Sequence, residues 1–452
     1  MRWTVLRHFA ISCLLVATTL QVAARTRPHY GGTLRVETAG DPWQKPDGVA
    51  RRFVFDGLTT FDARGAVRPA LATDWASDDA DHRWQFRLRP GVHFHDGTLL
   101  TSVNVVASLN IACPQNCPWT AIHAVGPYVV FTADSPMPNL PALLATDEFL
   151  VALTISSDGK TPPATIGTGP FQFMGAKGGV LSFTAYESCW QGRPFVDVIE
   201  VRVNRSVRDQ WLDLGVTKAD VVDVPVESLH MAQQQRLDVT VSAPVQLLVL
   251  QVSDAAPLAN PLLRSAISSA VDRIALANVV FQKQAQVSAS LLPQMLTGYG
   301  FLFPTERDLN KARSLRGGLP SPQLTLRAEG DGAMQLAAQR IALDLHEAGF
   351  NVQVVRPDAA RANLTLRLLP LEGSSPEAVL DVLLRRAGIS IPTIGDDSAA
   401  LYKAERAILD QHTLIPLLDL PAGSASSSRV RDLHLRADGA PDLAGVSLGD
   451  AP

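Results

Sequence analysis

At 452 residues, 46% of them hydrophobic and 19% charged, the chain is too long for one compact core and reads as two or three domains. A formal net charge of −4 gives no electrostatic reason for a nucleic acid or an anionic membrane as partner, and the arginines are scattered, without a basic run.

The first 24 residues carry Arg2, Arg7 and His8, then an apolar stretch from Phe9 to about Val22, then Ala23 and Ala24. Basic, apolar and small in that order is the layout of a secretory leader cleaved after Ala24. Ser12, Thr18, Thr19 and Gln21 dilute the apolar stretch below what a permanent membrane helix needs. An exported, soluble mature protein is expected.

Gly31 to Pro42 predicts a strand, with Leu34 and Val36 alternating, that ends in a turn. Short β-like pieces follow, with a hairpin signal at Asp62 to Gly65 and a polar turn at Asp78 to Asp81. "VHFHD" places His93 and His95 on one side of a strand and Phe94 on the other. With Phe94 toward a core, the two histidines are expected to face solvent or a loop, as part of a turn and not as metal ligands. A helix with a polar start follows Thr101. Cys113 and Cys117 bracket a small loop after it. In an oxidising compartment a local disulfide is expected; a zinc site would need two more ligands, and only His123 is near in sequence. Cys189 is left as an unpaired thiol, expected to be buried.

"GTGPFQF" is a breaker-rich crossing into an antiparallel region. A helix around "RDQWLDLGV" and strands at "ADVVDVPV" and Val245 to Ser253 come next. Asn260 to Phe281 has helical spacing, with Asn260 as cap and Pro261 in the first turn. The segments "QLTLRAEGD", "AMQLAAQRIALDLHEAGF" and "NVQVVRP" give strand, helix and strand, a βαβ unit with a parallel pair. Helix and strand end the chain at "AALYKAERAILDQHTLIPLLDL". The stretch "PAGSASSSRV" is expected to be a flexible loop, and the tail after Arg436 to lack fixed structure.

These patterns give two α/β lobes with an antiparallel, β-rich portion inserted in the first. A ligand of such an assembly is expected between the lobes. No nucleophile elbow, phosphate loop, dinucleotide fingerprint or H-E-x-x-H motif occurs, so no catalytic residue, metal site or cofactor is assigned.

The stretch "WQFRLRPGVHFHDGTLLTSVNVVASL" closely resembles the signature of the family-5 extracellular solute-binding proteins. Trp84, Phe86, Leu88, Arg89, Gly91, Phe94, His95, Asp96, Gly97 and Thr101 match it, while Ser102 and Asn104 replace an alanine and an aspartate. "GGTLRV", "FDGLTTFDARGAVRPALATDW", "GTGPFQF", "CWQGRP", "LLRSAISSAVDR" and "LIPLLDL" resemble further family segments in the right order. The resemblance implies a two-lobed periplasmic binding protein of type II, like cluster C, with a leader at 1–24. It implies a first lobe over 25–50 and 161–253, with the β-rich insertion at 51–160. The second lobe then covers 254–412, and a return strand and tail cover 413–452.

By the same resemblance the protein is a periplasmic or extracellular monomer. It would capture a peptide or small solute by hinge closure and pass it to the permease subunits of an ABC importer, touching the membrane only through them. The hinge is expected at "LLVLQV" and "LIPLLDL". Thr38, Asp41 and Trp43, after the first strand, and Glu372, in the second lobe, are the expected ligand contacts. That second-lobe segment, "LRLLPLEGSSPEAVLDVLL", lacks the tryptophan and aspartate of the peptide receptors. A nickel-chelate or haem receptor, with His93, His95, His123 and His230 as available ligands, is the alternative within the family. A transport-inactive sensory or scaffold relative that keeps the fold is a further alternative, and a secreted hydrolase is the rival from another class.

Overall fold

The structure, a computed structural model, describes residues 29–43, 50–62, 65–113, 117–154, 165–318, 323–330, 332–373, 375–390 and 397–449. The expected leader, residues 161–164 of the glycine-rich crossing, 63 and 64 of the first hairpin and 114–116 of the cysteine loop lie outside them.

One mixed sheet runs through the molecule. In chain order its long strands are β1 (Thr33–Glu37), then β8 (Phe171–Lys177), β9 (Val180–Ala185), β10 (Val198–Arg202), β11 (Val221–Asp223) and β12 (Asp238–Val252), then β13 (Gln323–Ala328), β14 (Asn351–Val355), β15 (Leu364–Pro370) and β16 (Leu414–Ser426). Their spatial order is β8-β9-β10-β1-β11-β16-β12-β15-β13-β14. The first five belong to one lobe and the last three to the other, while β16 and β12 lie in both.

Between β1 and β8 the chain makes a hairpin, β2 (Thr59–Phe61) with β3 (Val67–Pro69), as the Asp62–Gly65 signal predicts. It then makes a four-stranded antiparallel sheet of β4 (Ala72–Ser77), β5 (Arg83–Leu88), β6 (Ala121–Val125) and β7 (Tyr128–Thr132). Phe86, Phe94, Phe131 and Phe149 close a separate core under that sheet. The first lobe has its own core around Leu34, Phe171, Phe183 and Ile199. In the second lobe the sheet is covered on both faces, by Leu248, Leu250, Leu326 and Ile341 on one side and Leu247, Val249, Leu380 and Leu383 on the other.

Local chemistry explains the element starts. Helix α2 (Ser102–Ala112) follows the short α1 (Arg51–Val54) and begins with a reciprocal capping box. The Thr101 N–H donates to Asn104 Oδ1 at 2.9 Å, and the Asn104 N–H faces Thr101 Oγ1 at 3.4 Å. Helix α3 (Val207–Gly215) is capped by Ser206, and α4 (Pro261–Ala270) by Asn260 with Pro261 at its first position. The expected βαβ unit is present: β13, helix α5 (Ala333–Glu347) and β14, with the two strands parallel. Two further helices, α6 (Pro376–Ala387) and α7 (Ser398–Leu409), precede the return strand.

Three expectations need correction. The helix read over Asn260 to Phe281 breaks at Val271, whose backbone is extended (φ −71, ψ 128), and Asp272 caps a new start by accepting from the Ala275 N–H. The break turns Arg273 inward, where its Nε donates to the Pro416 carbonyl at 2.9 Å. The supposed loop after Pro421 is strand as far as Ser426, because Ser424 to Ser426 find partners on both sides, β11 and the start of β12. The tail forms short ladders, His434–Leu435 with Pro441–Asp442 and Val430–Arg431 with Ser447–Leu448, and buries Leu443 and Val446. His95 is half-buried and faces the loop at Gly169, one of the two surroundings expected for it. Its Nε2 lies 2.9 Å from the Gly169 carbonyl, which can only accept, so that nitrogen carries the proton.

Cys113 and Cys117 are joined, and Cys189 is a buried free thiol that burial pushes up to about 11. Among the described residues no helix is long and apolar enough to cross a membrane.

Candidate functional site

Where the first lobe, the β2–β3 hairpin and the C-terminal tail meet, the surface folds into a cavity of about 560 Å³. That lies within the usual range for small-molecule sites. Arg52, Phe55, Asp56 and Phe61 line one side, Trp190 and Gln191 another, and His434 to Arg436 of the tail a third.

Several local rules bring these groups together. Gly167 and Gly169 of the "GTG" crossing pack against α1: a Cβ on Gly167 would lie 1.7 Å from the Val54 carbonyl oxygen. Only glycine admits that approach. Thr168, between them, is fully buried and donates from Oγ1 to Asp56 Oδ2 at 2.8 Å. Trp190 Nε1 donates to the same oxygen at 2.9 Å, and Gln191 Nε2 to Oδ1 at 3.2 Å. The Arg89 guanidinium sits 4.7 Å from the Trp190 ring centroid and holds the indole from behind. Burial pushes the Asp56 carboxyl up, against the pull of these donors and of Arg52.

Arg52 has its own partners. It pairs with Asp147 and donates from Nη2 to the Ala145 carbonyl at 2.6 Å. Arg436, from the tail, lies 3.9 Å from Asp147 and pairs with Asp438. From the second lobe Glu372 adds its charge to this group. Burial, Asp438 and Asp147 push its carboxyl up to about 7, against the pull of Arg52 and Arg386. Arg386 in turn reaches Glu148 of the β-rich portion at 4.0 Å. The junction of the lobes is therefore an ionic network whose edge forms one wall of the cavity.

The expected contacts fall in different places. Thr38 is buried and donates from Oγ1 to the Gly40 carbonyl at 2.8 Å, shaping the turn after β1. Asp41 accepts from the Trp43 N–H at 2.9 Å. Trp43 stacks on Phe173 with centroids 4.4 Å apart, as part of the first-lobe core. None of the four lines the cavity; Glu372 bears on it only through its charge near Arg52. His93 is exposed and faces the Gly91 carbonyl. Among the described residues no group of three or more His, Cys, Asp or Glu could hold a metal ion. Asp56 was missed as a site residue, although its neighbours "FDG", "GTG" and "CWQG" stand out in the sequence. What hid it was distance: Thr168 and Trp190 are 112 and 134 positions away.

A two-lobed α/β molecule with a cavity by its lobe junction has the architecture of a binding protein. The family model of the bacterial extracellular solute-binding proteins, family 5 (middle), matches residues 66–369, and the chain belongs to that family. A relative named probable di/tripeptide-binding protein 5, from Pseudomonas aeruginosa, is 27% identical over 350 residues, which is 66% of each chain. The chain thus spans just under two thirds of that relative and under a third of the next two. The fold matches the Helicobacter pylori binding protein DppA, in complex with the peptide STSA (TM-score 0.78, 20% identity, 94% of this chain and 100% of that one). It also matches AgaA from A. tumefacien R10, in complex with agropinic acid (TM-score 0.79, 18% identity, 93% and 99%).

Proposed function

We propose that the chain is the extracytoplasmic receptor of an ABC importer, and that it captures short peptides or a related small solute beside the lobe junction. The observation that carries this reading is the cavity of about 560 Å³, walled by aromatic rings and charged side chains from segments far apart in sequence. Such walls suit a small polar solute better than a macromolecule. Ligand contacts would come from Phe55, Asp56, Trp190 and Gln191 in the first lobe and the β-rich portion, with Glu372 the group that senses closure from the second.

The hinge would lie where β12 and β16 place Pro244 opposite Pro421. Neither proline can donate to the ladder, and the register shifts on both sides of Pro244. Bending is therefore easy at that point. The names of the Pseudomonas and Helicobacter relatives favour peptides.

Native mass spectrometry of the freshly purified protein, followed by thermal-shift screening of di- to pentapeptides, opines and metal chelates, tests the reading. A ligand that binds only the folded form raises the melting temperature by mass action, about 2.7 kcal/mol of stabilisation at a hundredfold excess over Kd. No co-purified solute and no shift with any class would sink it.

A further inference from the structure

We infer that Asp56 is an anchor for a protonated amine, so that the cavity selects solutes carrying a cationic nitrogen; this rests on reading the cavity as the solute site. The argument is one of charge. Asp56 accepts three hydrogen bonds, from Thr168, Trp190 and Gln191, and all three donors are neutral. They fix the carboxylate in place without cancelling its charge. No ion pair involves Asp56 among the described residues. The guanidinium beside it, Arg52, is already committed to Asp147 and the Ala145 carbonyl.

A desolvated carboxylate without a cation is costly, and in free protein it is met by taking up a proton. The upward push on its titration fits that description. Among the other charged wall residues Arg436 pairs with Asp438 and Asp62 with Arg68, while Asp442 accepts from the neutral Ala444 N–H. The wall thus leaves Asp56, fixed by three neutral donors, without a cation of its own. A ligand ammonium donating to Asp56 Oδ1 or Oδ2 would supply it, with the Trp190 indole alongside.

Titration calorimetry of the full chain at neutral pH with three probes tests this: trialanine, N-acetyl-trialanine and n-butylamine. The wild type is expected to bind trialanine about 10- to 100-fold more tightly than its acetylated form, the range for a hydrogen bond to a charged group. Asp56→Asn should erase that difference. Equal wild-type affinity for the two peptides overturns the amine anchor and leaves the receptor reading standing. Binding of butylamine that Asp56→Asn abolishes, without trialanine binding, keeps the anchor and removes peptides as the class. If none of the three binds, by calorimetry or by protein-observed NMR at millimolar probe, the anchor is overturned. The wild-type comparison of the three probes decides the matter even if Asp56→Asn fails to fold.

Discussion

Gly167 shows how one missing methyl group can hold a site together. Its neighbours leave no room for a Cβ, so Gly167→Ala must push α1 and the "GTG" crossing apart. The expected cost is several kcal/mol, of the order of overpacking a dense core or more. Gly215→Ala is the control: nothing lies within 4 Å of its added Cβ, and the position ends α3. It should be neutral or stabilising by a few tenths of a kcal/mol. Urea denaturation of the two variants separates them; comparable midpoints would mean that the close approach does not matter. Asp419 carries a second residue-scale prediction. It is buried on β16, and burial pushes its carboxyl up to about 7. The folded state therefore holds a proton that the unfolded chain has released by then. Stability should fall as pH rises from about 4 to 7, and Asp419→Asn should flatten the fall. Melting temperatures at pH 5 and pH 8 that change equally in both proteins would contradict this.

At the scale of elements, the capping box of α2 is the part most open to test. Thr101 and Asn104 satisfy donors at an exposed helix start, so Thr101→Ala should cost about 1 kcal/mol by chemical denaturation. A loss below about 0.3 kcal/mol would assign the helix start to packing under Leu109 and Val105 instead. Elements of this kind could be read directly from the sequence, since a cap, a periodic face and a turn residue lie within one stretch. The same holds for the β2–β3 hairpin, the Asp78–Asp81 turn and the βαβ unit. The misread elements share another property. "PAGSASSSRV" is small and polar, with no periodicity of its own, yet it becomes strand because two neighbours supply its ladder. Helix α4 has helical spacing beyond its actual end, and its break is set by Asp272 and by Arg273 reaching the Pro416 carbonyl.

For the whole molecule, the ionic network across the lobe junction predicts how closure responds to pH. Burial, with the charges of Asp438 and Asp147 nearby, pushes the Glu372 carboxyl up to about 7. If opening returns it to water, where a glutamate ionises near 4.5, the closed form binds the extra proton. The closed population should then fall as pH rises between those values, and Glu372→Gln should abolish the dependence. Small-angle scattering of the ligand-free protein at pH 5 and pH 8 measures it, and an unchanged radius of gyration in the wild type would refute the link. The pair Arg386–Glu148 is half-exposed and 4.0 Å apart, so its removal should shift closure by no more than about 1 kcal/mol.

The amino-acid order alone made legible the α/β class, the family motifs, the local disulfide and the Asn260 helix cap. Each of these is written in neighbouring residues or in a short period, which is all that local chemistry needs. Folding settled the site. Asp56, Thr168, Trp190 and the tail's Arg436 meet only because the sheet, the glycine crossing and the C-terminal hairpin converge on one point. Which carboxylate lacks a cation is a property of three-dimensional neighbours, and no spacing in the chain encodes it.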